Sequence, residues 1–340
     1  MAHPTRRTIL SAAAALAVAT TAGFNAEAQE PRNYILATAS TGGTYYPVGV
    51  AISTLTKVKL EPGQKLGMSA ISSAGSGENV KLLRDGEAQF AILQGLYGYY
   101  ARTGTGPIEA EGPQENLRSV SMLWQNVEHF VIQSEFAETG SIEDMVALKG
   151  KTMALGAQNS GTLGSNKTIL DGFGIDAEND YELLYAGYGP SAEAVQNGQA
   201  AGMSTPAGVP VSAVTQLFST AGDKVTLLSF SPEQITTANG DRDLWTEYVI
   251  PGGTYPGLDE DVTTIAQPNF LATSADLPEE DVYQITKTMY ENLAFLQAIH
   301  PATKAMAIEK AIAGLPLPLH PGALRYYEEA GLTIPDRLRP

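Results

Sequence analysis

The stretch Tyr34-Ile35-Leu36-Ala37-Thr38-Ala39-Ser40-Thr41-Gly42-Gly43-Thr44-Tyr45-Tyr46-Pro47 runs from an apolar segment through paired glycines toward a helical pattern. Residues 34–38 predict a buried strand. The glycines allow a sharp turn and let a ligand approach main-chain N–H groups closely. The helix expected next, through Val50-Ala51-Ile52 and Leu55, leaves unpaired donors and a partial positive charge at its start. Such an end holds carboxylate or phosphate without lysine or arginine. The same residues also make an ordinary tight turn capped by threonine.

The pattern repeats outward. Residues 66–71 and 90–93 read as further strands, 79–83 as a helical face stopped near Asp85-Gly86, and 97–101 as a tyrosine-rich helix. Val120-Ser121-Met122-Leu123-Trp124 and His129-Phe130-Val131-Ile132, joined by Gln125-Asn126, mark a crossing between domains. A second strand–turn–helix set follows: residues 152–156, the turn Gln158-Asn159-Ser160-Gly161-Thr162, and a helix through 167–170. Residues 192–197 form a short helix, 264–272 carry the chain back, and 281–298 form a helix packed on the first domain. The alternation predicts an α/β chain of two domains, domain I from 29–125 plus 265–340 and domain II from 126–264.

Composition removes whole classes of function. With no cysteine among 340 residues, disulfides, Cys-ligated zinc and iron–sulfur clusters are excluded. With 21 Lys+Arg against 37 Asp+Glu, a net charge of -16, the chain repels phosphate backbones, and no nucleic-acid partner is expected. Arg6 and Arg7, an uncharged run over 9–24 and Ala26-Glu27-Ala28 predict a cleavable signal peptide over 1–28, cut after Ala28. The run is shorter than the roughly 20 residues that span a bilayer. Thr5-Arg6-Arg7-Thr8-Ile9-Leu10 leaves Sec and twin-arginine export both open. The mature protein is expected in the periplasm.

The other motifs bear on chemistry mostly by failing. Gly156 and Gly161 have P-loop spacing, but Thr162-Leu163 stands where Lys-Ser/Thr is required. Ser72-Ser73-Ala74-Gly75-Ser76-Gly77 is a polar turn before a helix and lacks the third glycine of a dinucleotide fingerprint. Gln94 follows the third strand and either points into a cleft or is a solvated loop residue. His3, His129, His300 and His320 have no metal-ligand spacing, and there is no Gly-x-Ser-x-Gly elbow. Glu128-His129 reads as a core or surface pair and His320 as part of a structural turn. No cofactor, metal or catalytic residue is expected. Two glycine turns in two domains point instead to a shared cleft, because open α/β sheets bind ligands at the C-terminal ends of their strands.

Ala39-Ser40-Thr41-Gly42-Gly43-Thr44-Tyr45-Tyr46-Pro47-Val48-Gly49 resembles the N-terminal signature of the TAXI solute receptors of tripartite ATP-independent periplasmic (TRAP) transporters. Asn159-Ser160-Gly161-Thr162 is similar to that family's second-domain turn. Asp85-Gly86-Glu87-Ala88, Ala207-Gly208-Val209-Pro210, Tyr248-Val249-Ile250-Pro251-Gly252-Gly253-Thr254-Tyr255-Pro256-Gly257 and Pro318-Leu319-His320-Pro321-Gly322-Ala323 also match, in the expected order. The resemblance implies a non-enzymatic two-domain periplasmic binding protein with hinged lobes around a ligand cleft. It implies a small anionic ligand, an amino acid such as glutamate or a 2-oxo or dicarboxylic acid, delivered to TRAP membrane permease subunits. Carried over by position, the ligand-facing residues are Thr41, Gly42, Gly43, Tyr45, Ser73, Gln94, Ser160, Gly161, Thr162 and Ala207. Gln158-Asn159 departs from the Pro-Gly type of turn common in the family, and Lys167 and Arg102 are the candidates to pair with a second carboxylate. Two other readings stay open: a periplasmic hydrolase using Ser160, for which the sequence supplies no base, and a ligand-sensing partner of a receptor kinase, which needs the same cleft.

Overall fold

A computed structural model describes residues 30–340, so the predicted signal peptide and its cleavage point lie outside the described residues. The opening pattern becomes β1 (Arg32–Ala37) and α1 (Tyr45–Gln64). On α1, Val48, Ile52, Leu55 and Leu60 recur at helical spacing and are buried, while Lys57 and Lys59 face solvent. Gly49 is where α1 touches β1, since a Cβ there would collide with Thr38. The next units are β2 (Leu66–Ile71), α2 (Ser76–Arg84), β3 (Phe90–Gln94) and α3 (Gly95–Thr103). β3 is buried along its whole length, as an uninterrupted apolar run in a covered sheet should be.

β4 (Leu117–Val127) and β5 (Phe130–Gln133) carry the chain from one sheet to the other. The crossing lies at Glu128-His129, three residues beyond the Gln125-Asn126 expected from sequence. Those two stay in strand because β4 keeps pairing to β11 through Asn126 and Val127. Then come β6 (Thr152–Ala154), α4 (Gly161–Gly172), α5 (Ala177–Asp180), β7 (Glu182–Leu183), α6 (Tyr188–Gln196), β8 (Gly202–Ser204), α7 (Ser212–Ala221), β9 (Val225–Leu227) and α8 (Pro232–Asn239). The chain closes with β10 (Thr246–Ile250), β11 (Val262–Ser274), α9 (Glu279–Glu291), α10 (Leu293–Ile299) and α11 (Pro321–Glu329). The helix expected over 281–298 breaks at Asn292, whose side chain donates to the Thr288 carbonyl at 2.8 Å.

The first sheet has the order β10-β11-β3-β1-β2, with β4 also on β11, and the second β7-β6-β8-β5-β9. β2, β1 and β3 are mutually parallel, as are β7, β6 and β8, and each trio is flanked by an antiparallel strand, β11 or β5. The two halves therefore share one strand order. β10, inside the stretch 126–264 assigned to domain II from sequence, pairs with β11 in the first sheet, so the return precedes residue 246. Leu36, Ile52, Leu66, Phe90 and Phe270 fill the first core, and Val131, Met203, Val214 and Leu217 the second. Burying each large side chain stabilises the fold by about 1.5–3 kcal/mol. Among the described residues no helix is long and apolar enough to cross a membrane.

Candidate ligand-binding cleft

Among the described residues, the six parallel strands end at one cavity of about 410 Å³. Ala39 to Thr41, Gly43 and Thr44 follow β1, Ser72 to Gly75 follow β2, and Gln94 ends β3. From the other half, Ala157 and Ser160 follow β6, Ala186 and Gly187 follow β7, and Pro206 and Ala207 follow β8. This is the placement expected for a site in open α/β sheets. Five helices begin at the same wall: α1 at Tyr45, α2 at Ser76, α3 after Gln94, α4 at Gly161 and α6 at Tyr188. First-turn amides have no intrahelical partner, and each helix start carries roughly half a positive charge. An anion between them meets donors and favourable dipoles from both sheets.

Nine of the ten residues singled out from sequence line this cavity: Thr41, Gly43, Tyr45, Ser73, Gln94, Ser160, Gly161, Thr162 and Ala207. Gly42 lies instead against the α6 start, where a Cβ would come within 3.1 Å of the Gly189 nitrogen. The Gly43 amide donates to the Ser40 carbonyl at 3.1 Å, so it closes its own turn. The free donors of that helix end lie further on, in the first turn of α1. Gly43 has a packing role as well, since a Cβ would sit 3.1 Å from the Tyr188 ring. The Ser73 hydroxyl is also engaged locally, accepting from the Gly75 amide at 3.0 Å and lying 2.9 Å from the Thr38 carbonyl.

The two halves meet across the cavity. Gln94 Nε2 donates to the Gly161 carbonyl at 2.8 Å, and Gln94 Oε1 accepts from Asn126 Nδ2 at 3.2 Å. Asn126 Oδ1 accepts from Asn269 Nδ2 at 3.1 Å, and Asn269 Oδ1 accepts from the Tyr45 hydroxyl. Thr44 Oγ1 donates to the Gly208 carbonyl at 3.0 Å, and the Tyr188 amide donates to Ser40 Oγ at 3.3 Å. Tyr188 itself donates to the Pro206 carbonyl at 2.6 Å and accepts from Thr162 Oγ1 at 2.8 Å. Burial, and to a smaller degree the neighbouring Glu128 charge, pushes the Tyr45 and Tyr188 phenols upward, so both stay neutral donors.

Ser160 Oγ accepts from the Leu163 amide at 3.0 Å and so caps α4. No histidine lines the cavity among the described residues. His129 lies in the core: Nδ1 donates to the Val127 carbonyl at 2.8 Å, and Nε2 accepts from Tyr255 at 2.7 Å. This tautomer is assigned from Tyr255, whose oxygen already accepts from the Val211 amide. Burial lowers the His129 pKa to about 4. Glu128, wholly buried at the crossing, is pushed up to about 8 by burial. Trp245, Gln267 and Ser165 turn polar groups toward it and partly offset that rise, yet neither carboxyl oxygen reaches hydrogen-bonding geometry. Lys167 pairs with Glu178 at 2.8 Å and Arg102 lies over the Tyr99 ring, and neither lines the cavity.

The sequence reading missed Ser40, Ser76, Asn126 and the α6 start. Gly187-Tyr188-Gly189-Pro190 carried a usable signal, a glycine N-cap with proline in the first turn, but the two-residue β7 before it is too short to register as a strand.

The profile of the NMT1-like family matches residues 36–331. The chain belongs to that family. Among solved structures, MatC (Rpa3494) from Rhodopseudomonas palustris with bound malate aligns at a TM-score of 0.56 and 14% identity, covering 88% of this chain and 99% of that one. PhnD1 from Prochlorococcus marinus (MIT 9301) in complex with methylphosphonate aligns at 0.50 and 14%, covering 81% and 91%. The periplasmic aliphatic sulphonate binding protein SsuA from Escherichia coli aligns at 0.44 and 11%, covering 88% and 84%. The fold of this NMT1-like protein is that of the two-lobed periplasmic solute-binding proteins.

Proposed function

We propose that this protein is the solute receptor of a TRAP transporter. It captures a small carboxylate between two hinged lobes and hands it to the membrane permease subunits. The observation that carries the reading is the meeting, among the described residues, of six strand ends and five helix starts at one cavity without a charged wall residue. Such a site holds an anion by main-chain and hydroxyl donors. Two relatives of the same fold have small anions, malate and methylphosphonate, in their solved structures, which supports the ligand class. The TAXI-like motifs support the subfamily, since Ala39 to Thr41, Gly43 to Tyr45 and Ser160 to Thr162 are wall residues here.

The lobes are built on the two sheets, one from residues 30–127 and 246–340, the other from 128–245. The ligand favours closure through contacts made only when both lobes face it. Export is by the cleavable signal peptide, and the working compartment is the periplasm.

Mass spectrometry of whatever co-purifies, followed by thermal-shift screening of carboxylic acids, tests the binding role, since a ligand raises apparent stability by mass action. Uptake of the acid found into proteoliposomes bearing a TRAP permease, with and without this receptor, tests delivery. A chain that binds no carboxylate, or uptake indifferent to it, would refute the corresponding half of the reading.

A further inference from the structure

The wall of the cavity contains no Asp, Glu, Lys, Arg or His among the described residues. Two carboxylates lie behind it. Glu78 Oε2 accepts from the Ala74 amide at 2.6 Å, and Glu128 is wholly buried at the crossing; neither lines the cavity. Two hydroxyls on the wall are set to donate. Ser76 Oγ accepts from the Gln94 amide at 3.1 Å and Ser160 Oγ from the Leu163 amide, so each keeps its proton to give. Three main-chain acceptors at the wall already hold a donor: the Gly161 carbonyl takes Gln94, the Ser40 carbonyl takes the Gly43 amide, and the Ala207 carbonyl takes the Val127 amide at 2.8 Å.

We infer that the receptor takes a carboxylate bearing no ammonium group, an oxo or hydroxy acid, and rejects the α-amino acid of the same skeleton. The inference rests on the solute-receptor reading above and narrows its ligand class. An ammonium brought into the cavity has three protons to place and no carboxylate to accept them. It also faces five positive helix ends, the wrong polarity for a cation. Burying a charge without partners is costly, whereas an oxo oxygen in the same position is an acceptor that the Ser76 and Ser160 protons can satisfy.

The test uses two matched pairs on the full mature chain: 2-oxopentanoate with L-norvaline, and 2-oxoglutarate with L-glutamate, each titrated by isothermal calorimetry. In whichever pair binds, the oxo acid should bind at least about tenfold tighter than the amino acid, the discrimination expected from one unsatisfied charged group. Equal or tighter binding of the amino acid would overturn the inference and leave the receptor reading standing. No binding by any of the four would count against both.

Discussion

Gln94 Nε2 and the main-chain oxygen of Gly161 are 2.8 Å apart, and that bond joins the end of β3 to the start of α4. It ties together the two sheets at the floor of the proposed site. Gly161 permits the approach because it has no side chain: a Cβ would lie 2.8 Å from Ser76 and 3.0 Å from Gln94. The pair thus links a glycine choice in one half of the sequence to a glutamine choice in the other.

Gly161→Val should separate the two halves. Overpacking at such a contact costs about 1–3 kcal/mol, which here falls on the closed state. Carboxylate affinity should drop at least about fivefold while the circular dichroism spectrum keeps its native form. An unchanged dissociation constant would remove Gly161 from the closing contact.

Gln94→Ala removes the Gly161 bond and leaves Asn126 Nδ2 without its partner. The expected loss in binding is about 1 kcal/mol, roughly fivefold, read by calorimetry. Ser160→Ala should weaken binding by about 1–2 kcal/mol and also lower thermal stability, because the same hydroxyl caps α4. A stability loss with intact affinity would leave Ser160 as a cap alone.

Stability should depend on pH through two neighbouring buried groups. Between the ordinary 4.5 and about 8, folded Glu128 keeps a proton that the unfolded chain has released, so its contribution is lost as pH rises. His129 has the opposite sign: between 6.5 and about 4 the unfolded chain binds a proton that the folded chain refuses, so stability is lost as pH falls. The two oppose each other below 6.5, and above it only Glu128 remains. The melting temperature should therefore fall from pH 6.5 to about 8.5, and Glu128→Gln should flatten that limb. A slope that persists in the variant would assign it to other groups.

His320 caps α11 by accepting from the Gly322 amide at 3.1 Å, and its other nitrogen donates to the Leu277 carbonyl at 3.1 Å. His320→Ala should destabilise the fold by about 1–2 kcal/mol in urea titrations and leave carboxylate binding untouched. A binding defect without loss of stability would contradict a purely structural role.

Much of this was legible in the chain because local chemistry dictates it. Residues 66–71 and 90–93 are strands by apolar run, and Gly42-Gly43 and Ser160-Gly161 mark the turns at the cleft. The roles inside those turns were less legible. Whether the Gly43 amide faces a ligand or the Ser40 carbonyl depends on a dihedral that composition does not encode. The crossing was misplaced because Gln125 and Asn126 look like a polar break, whereas Asn126 is satisfied by Gln94 and Asn269 within the sheet contact. Residues 246–250 fell inside the stretch 126–264 given to domain II because strand pairing over long separations leaves no trace in periodicity.

The most direct measurement is amide NMR on protein labelled with 15N-glycine, titrated with the carboxylate that gives the largest thermal shift. Gly75 from the first half and Gly161 and Gly187 from the second all line the cavity, while Gly240 and Gly331 do not. The account predicts that Gly75, Gly161 and Gly187 move along one binding curve and that Gly240 and Gly331 stay still. Shifts confined to the glycines of one half, or absent from all three, would contradict a ligand held between the two sheets.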